Sequence, residues 1–326
     1  MKNHILIVGT GALATLFAAR LAQAGYQITM LGSWKEGLDA LCNEGARLVD
    51  TNGNEQRFKV KAISNPRDCR GIEHVLVLVK AWQTEHVAGQ LKECLAEDGL
   101  AVTLQNGLGN REILVRALDR FATENTENPG EKNSENSVRS VARSPSRVAL
   151  GITTTGATLL GPGWVRAGGE GIISIERNQA LGPIEAALKS ANFNVNVVDD
   201  AQSLVWAKLV VNAAINPLTA LLRVPNGELL ERPTAREMLR TLAGEVAQVA
   251  EAEKIRLPFS DPAAAAEEVA FKTAANHSSM LQDVLRGAPT EIDAICGAVV
   301  QAAQKHNIEP FANWACWKLV KALAGV

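Results

Sequence analysis

Residues 4–8 (HILIV) form a short apolar run, and the next six are Gly9-Thr10-Gly11-Ala12-Leu13-Ala14. The run reads as a buried parallel strand. The segment that follows, LFAARLAQAG ending at Gly25, reads as an amphipathic helix. Strand, GxGxxA turn and helix in that order make the dinucleotide-binding fingerprint of a doubly wound sheet, with Ala in the third position. Gly9 permits the tight turn, Gly11 lets the backbone approach a pyrophosphate, and Ala14 keeps helix and strand close. The helix N-terminus supplies unpaired N–H groups for phosphates. Gly9, Thr10, Gly11, Ala12, Leu13 and Ala14 are therefore the first candidate cofactor contacts. Such turns also join strands and helices for structural reasons alone, so the spacing counts because of its context.

The next strand, Gln27–Leu31, decides which dinucleotide fits. An acid at its end would bind a ribose 2′-hydroxyl, but the chain continues Gly32-Ser33-Trp34-Lys35. Ser33 can hydrogen-bond a 2′-phosphate and Lys35 can supply charge, so NADP(H) is the expected cofactor. The Arg that would clamp that phosphate is missing. Two further strands end in polar residues, where open α/β sheets bind ligands. His74–Val79 runs into Lys80, and Leu100–Leu104 runs into Gln105-Asn106-Gly107-Leu108-Gly109-Asn110. Lys80 and Asn106 are the candidates there, against the plainer readings of a surface lysine and a turn residue.

A chain of 326 residues is long enough for two domains. The expected class is α/β: a Rossmann-type domain over 1–199, then an all-helical domain over 200–326. A hairpin is expected around Asn52-Gly53, and a helix over Thr84–Leu95. Residues 122–147 (ATENTENPGEKNSENSVRSVARSPSR) have almost no large apolar side chain and read as a polar surface insertion. Net charge is −2, which argues against nucleic acid as the main partner. No uninterrupted run of about 18 apolar residues occurs, so no membrane span is expected. The five cysteines lack a CxxC and read as reduced core thiols of a cytoplasmic protein, with no metal site. Apolar C-terminal helices permit a homodimer without demanding one.

Ala201–Leu222 (AQSLVWAKLVVNAAINPLTALL) reads as one apolar helix interrupted by Lys208, Asn212 and Asn216. Their four-residue spacing makes a slowly drifting stripe on one face. Buried ammonium and amide groups need partners, so this stripe suits a small, polar, anionic ligand. Pro217 predicts a kink or break. Further helices are expected over Arg232–Glu253, Asp261–Ala274, Thr290–His306 and Ala312–Ala324. A second polar cluster spans Asn276–Asp283, Arg286 and Thr290–Asp293. Its Ser, Asn and Glu residues also suit helix caps.

The stretches GxGALA, LVKAWQT, LQNGLGN, WAKLVVNAAINPLTAL, PNGEL and NHSSMLQDVLRGAPTEID together resemble the ketopantoate reductase (2-dehydropantoate 2-reductase) family. The resemblance covers the chain apart from the polar insertion. It implies NADPH-dependent reduction of a 2-oxo acid, 2-dehydropantoate, to (R)-pantoate on the route to pantothenate and coenzyme A. By the same resemblance Lys208 is the catalytic acid, and Glu291 is an active-site carboxylate that also contacts cofactor. Asn212, Asn216, Asn226, Asn276 and Ser279 match substrate-binding positions. Lys80, Asn106 and Ala157 match cofactor contacts. The mechanism expected from these residue types is hydride delivery to the C2 carbonyl carbon, with Lys208 polarising and then protonating the oxygen. Ser279 would hold the substrate carboxylate, and burial and Glu291 would act on the Lys208 pKa in opposite senses. Two other readings fit the residues: a reductase of a different 2-oxo acid on the same scaffold, or a non-catalytic NADP(H)-sensing protein.

Overall fold

A computed structural model describes residues 4–119 and 146–324. The first part alternates strands and helices: β1 (His4–Val8), α1 (Ala12–Gln23), β2 (Gln27–Leu31), α2 (Lys35–Glu44), β3 (Ala46–Val49), β4 (Glu55–Phe58), β5 (Lys61–Ile63), β6 (Ile72–Val77), α3 (Thr84–Cys94), β7 (Leu95–Thr103), α4 (Asn110–Leu118), β8 (Val148–Thr153), β9 (Ala157–Gly161), β10 (Trp164–Ala167), β11 (Ile172–Glu176), α5 (Gly182–Ser190) and β12 (Asn194–Val198). Helices follow: α6 (Ala201–Leu222), α7 (Glu228–Glu231), α8 (Pro233–Ala252), α9 (Pro262–Lys272), α10 (Ser279–Leu285), a π-helical turn (Asp293–Gly297), α11 (Ala298–Gln304) and α12 (Phe311–Ala324).

Eight strands form one sheet in the order β12-β11-β8-β7-β6-β1-β2-β5. From β5 to β8 every pairing is parallel, so β1, β2, β6, β7 and β8 all end along one edge. The order reverses at β1, and the crevice beyond that edge is where a ligand fits this architecture. β11 returns antiparallel to β8 and carries β12 beside it.

Several elements depart from the sequence reading. The α1 helix is not amphipathic in its setting, because Ala14–Ala19 and Leu21 are all buried. A second sheet, ordered β4-β3-β10-β9, packs on α1 in addition to the main sheet, so no wet face remains. Helices α2 and α4 lie in stretches to which the sequence reading assigned no element. The 290–306 segment is not one helix but a π turn followed by α11. Cys42 is exposed, unlike the other four cysteines. The insertion over 122–147 lies, apart from Ser146 and Arg147, outside the described residues.

α6 is the axis of the helical part. Asp200 starts it, its side chain accepting from the Ser203 N–H at 3.2 Å. Arg223 ends it in a left-handed conformation, φ +56°. The helix does not break at Pro217, whose ring removes the N–H that would serve the Ala213 carbonyl. Thr219 Oγ1 donates locally to the backbone carbonyls of Ile215 and Asn216, both at 3.0 Å, and α8, α9, α10 and α12 pack around the helix. By length and averaged hydropathy α6 reaches the membrane-spanning range, yet 67% of that window is buried inside the protein, as in a core helix.

Candidate active site at the seam between sheet edge and helices

The cradle after β1 is built as its sequence requires. Gly9 has φ +130°, and a Cβ there would lie 2.9 Å from the Leu78 carbonyl oxygen and 3.3 Å from Ala14 Cβ. At Gly11 a Cβ would meet nothing within 4 Å, so the space over the turn is open. Gly11 starts α1 without a side-chain cap, which leaves the first N–H groups, including those of Ala12 and Leu13, for a ligand. Thr10 is buried against Gly32. This open, uncapped cradle fits a pyrophosphate. Ser33 and Lys35, after β2, are exposed and make no side-chain hydrogen bond or ion pair among the described residues. They are free to meet a 2′-phosphate. Ala157 begins β9 in the second sheet, paired with Ala167 and half-buried on the main core.

Three residues singled out in the sequence meet across the seam. Glu291, only 6% exposed, accepts from the Ala81 N–H at 3.1 Å through Oε1 and from Asn106 Nδ2 at 3.2 Å through Oε2. Lys80 Nζ lies 3.7 Å from Glu291 Oε2 and donates to Asp283 Oδ2 at 2.5 Å. Burial works against the Lys80 ammonium, but Glu291 and Asp283 outweigh it, and its pKa lies above the ordinary lysine value. Asn110 fixes this arrangement from below. It donates to the Asn106 carbonyl at 3.0 Å and accepts from Thr84 Oγ1 at 2.7 Å.

Lys208 comes from α6 and meets the end of β8, its Nζ donating to the Thr153 carbonyl at 2.7 Å. Burial pulls its pKa down and the Glu291 charge pulls it up, leaving it at about 8. The side chain is thus predominantly the ammonium at neutral pH and lies close to its titration point. One and two turns along, Asn212 and Asn216 make no side-chain hydrogen bond among the described residues, although Asn216 is 6% exposed. Asn212 is half-buried, and both amides keep their hydrogen-bonding groups available to a ligand.

The remaining amides form a neighbouring node. Asn226 Nδ2 donates to Thr273 Oγ1 at 2.8 Å, and its buried Oδ1 has no partner. Its N–H donates to the Asn276 carbonyl at 3.0 Å. Asn276 and Ser279 are exposed. The residue that caps α10 is Ser278, which accepts from the Leu281 N–H at 3.1 Å and bonds Thr219 at 2.7 Å. Ser279 is the first helical residue, and its hydroxyl is therefore uncommitted.

Sequence reasoning placed Asp283 in the second polar cluster but gave it no role; it is 2% exposed and joins Lys80 to Arg286 (2.9 Å). Its signal is an acid three residues after Met280, on a buried helical face. Sequence reasoning passed over Thr153 and Ala81, which act through backbone atoms and so carry no side-chain signature.

Fold and site together define a dinucleotide-dependent oxidoreductase, a Rossmann-like sheet followed by a largely helical region, whose polar centre lies where the sheet edge meets the helices. Residues 5–179 match the family described as ketopantoate reductase PanE/ApbA, and residues 200–324 match its C-terminal counterpart. The 2-dehydropantoate 2-reductase of Archaeoglobus fulgidus is 34% identical, over 98% of each chain. That of Halobacterium salinarum is 32% identical over 94% of this chain and 93% of the relative. The PanE/ApbA family ketopantoate reductase of Ralstonia eutropha JMP134 superposes with a TM-score of 0.84 at 28% identity, covering 99% and 98% of the two chains. D-mandelate dehydrogenase, solved with NADH and anilino(oxo)acetate, has the same fold at a TM-score of 0.85 and 24% identity, over 99% of this chain and 98% of its own. The chain belongs to the ketopantoate reductase (PanE/ApbA) family.

Proposed function

We propose that this protein is an NADPH-dependent ketopantoate reductase, converting 2-dehydropantoate to (R)-pantoate in pantothenate and coenzyme A synthesis. The observation that carries the reading is one face of α6. It presents Lys208, whose pKa of about 8 is held up by the Glu291 charge, and two amides, Asn212 and Asn216, whose side chains make no hydrogen bond among the described residues. Full-length similarity to curated 2-dehydropantoate 2-reductases supports the same substrate.

Residues Gly9–Ala14 hold the pyrophosphate, Ser33 and Lys35 the 2′-phosphate, and Lys80, Asn106 and Glu291 the nicotinamide end, with Ala157 a more distant contact. When bound, NADPH supplies the hydride for the C2 carbonyl carbon. Lys208, held by Thr153 and Glu291, donates a hydrogen bond to the carbonyl oxygen as negative charge gathers there, then gives it the proton. Asn212, Asn216 and Asn226 orient the hydroxyl end of the substrate. Ser279 and Asn276 border the carboxylate end, beside N–H groups at the start of α10. Glu291 keeps Lys208 charged without taking its proton.

The test is NADPH oxidation with 2-dehydropantoate, a panel of other 2-oxo acids, and NADH in parallel. Rapid turnover of 2-dehydropantoate with a strong NADPH preference is expected. Faster turnover of another 2-oxo acid would move the substrate assignment. Binding of NADPH without turnover of any acid would favour a sensing role.

A further inference from the structure

After β7 the chain carries Asn106 to the seam, and its next two residues cross into the helical part. The Leu108 N–H donates to the Ala294 carbonyl at 3.0 Å, and the Leu108 side chain packs on the helical core. Gly107 has φ +82°, and a Cβ there would lie 2.2 Å from the Ala294 oxygen and 2.7 Å from its Cβ. No side chain fits at that distance from backbone. The acceptor belongs to the π turn Asp293–Gly297, in which the Gly297 N–H reaches back to the Ile292 carbonyl at 3.0 Å. A π turn widens the helix and shifts the carbonyls out of α register. Here the Ala294 carbonyl takes its partner from the other domain. The turn is braced from α12, where Trp317 Nε1 donates to Asp293 Oδ1 at 2.6 Å and Lys321 Nζ donates at 3.2 Å.

Glu291 lies three residues before Ala294, and Asn106 one residue before Gly107. The Glu291 contacts with Ala81, Asn106 and Lys80 all cross the same seam. We propose that Gly107, Leu108 and Ala294 form a fixed backbone joint that sets how deeply Glu291 enters the active site, with Gly107 a positioning residue that acts through Glu291. This rests on the reductase reading above. A side chain at 107 would push Ala294 away, and Glu291 with it.

The test compares Gly107→Ala with Gly109→Ala. Gly109 also has a left-handed φ, +89°, but nothing lies within 4 Å of its Cβ position. It therefore carries a similar backbone cost without the collision. The alkaline limb of kcat reports Lys208, with Glu291 the opposing charge. Lys80, itself faced by Asp283 and Arg286, is the cation next to Glu291. Gly107→Ala is expected to lower kcat at least about tenfold and to move that limb to lower pH, in the direction expected of Glu291→Gln. Gly109→Ala should leave kcat within about threefold and the limb in place. A Gly107→Ala enzyme with wild-type kcat and limb would overturn the proposal, as would the same shift in Gly109→Ala. Should Gly107→Ala not fold, hydrogen exchange of the wild-type Leu108 amide decides. Strong protection is expected, and exchange at the rate of an open peptide would rule the joint out. Wild-type protein that folds but leaves 2-dehydropantoate unreduced would count against the reductase reading, while the Leu108 exchange still judges the joint.

Discussion

In the mechanism proposed above, the reaction depends at the scale of single residues on one proton, given by the Lys208 ammonium. Lys208 has its pKa at about 8 because burial and Glu291 act in opposite senses. The ammonium is the active form, so kcat should be level near neutrality and fall as pH rises through about 8. Glu291→Gln removes the charge that raises this pKa, so the fall should begin at lower pH, measured as a kcat–pH profile. Lys208→Ala removes the donor altogether and should cost roughly 3–4 kcal/mol in kcat, with NADPH affinity close to wild type by fluorescence titration. The cofactor preference rests on equally local chemistry. Lys35 is exposed at the start of α2 and has no ion-pair partner among the described residues, so Lys35→Glu should weaken NADPH binding and leave NADH binding much less affected. The ratio of the two kcat/KM values measures that directly. Lys208 and Lys35 were legible because a four-residue spacing and a strand end place them, whereas the role of Glu291 came only from the family resemblance. The role of Asp283 was not legible, since a buried acid and a helix-cap acid look alike until Lys80 is seen opposite it.

Elements obey their own signals except where a neighbour overrides them. β1, β2, β12 and α6 begin and end where apolar period, cap and turn residues put them. Helix α1 loses its expected wet face because a second sheet covers it, and pairing such as β3 with β10 joins segments more than a hundred residues apart. The π turn is set by contacts with Trp317 and Leu108, which no local pattern encodes. Helix α12 shows the same dependence. Glu245 on α8 accepts from the Ala312 and Asn313 N–H groups, both at 2.9 Å, and from Asn313 Nδ2 at 2.8 Å. Its carboxylate thus satisfies the start of another helix. Glu245→Ala should destabilise the helical part by about 1–3 kcal/mol, seen as a lower urea midpoint.

In the whole molecule the active site exists only where two independently cored parts meet. The Lys80–Asp283 pair, with Asp283 2% exposed, ties them at 2.5 Å. Asp283→Asn leaves the Lys80 ammonium beside Glu291 alone and should loosen the seam. We expect faster limited proteolysis between the parts and a higher KM for NADPH, with a smaller effect on kcat. The sequence by itself determined the doubly wound sheet, the open glycine turn after β1 and the polar stripe of α6. Each follows from short-range periodicity and steric rules that act within a few residues. Only the tertiary structure decided that Lys80, Asn106 and Glu291 share one cluster, that Thr153 and Ala81 act through their backbones, and that Gly107 must stay bare against Ala294. Those facts depend on which surfaces come together. Burial and opposing charge then fix each proton, and neither is a property of the chain read in order.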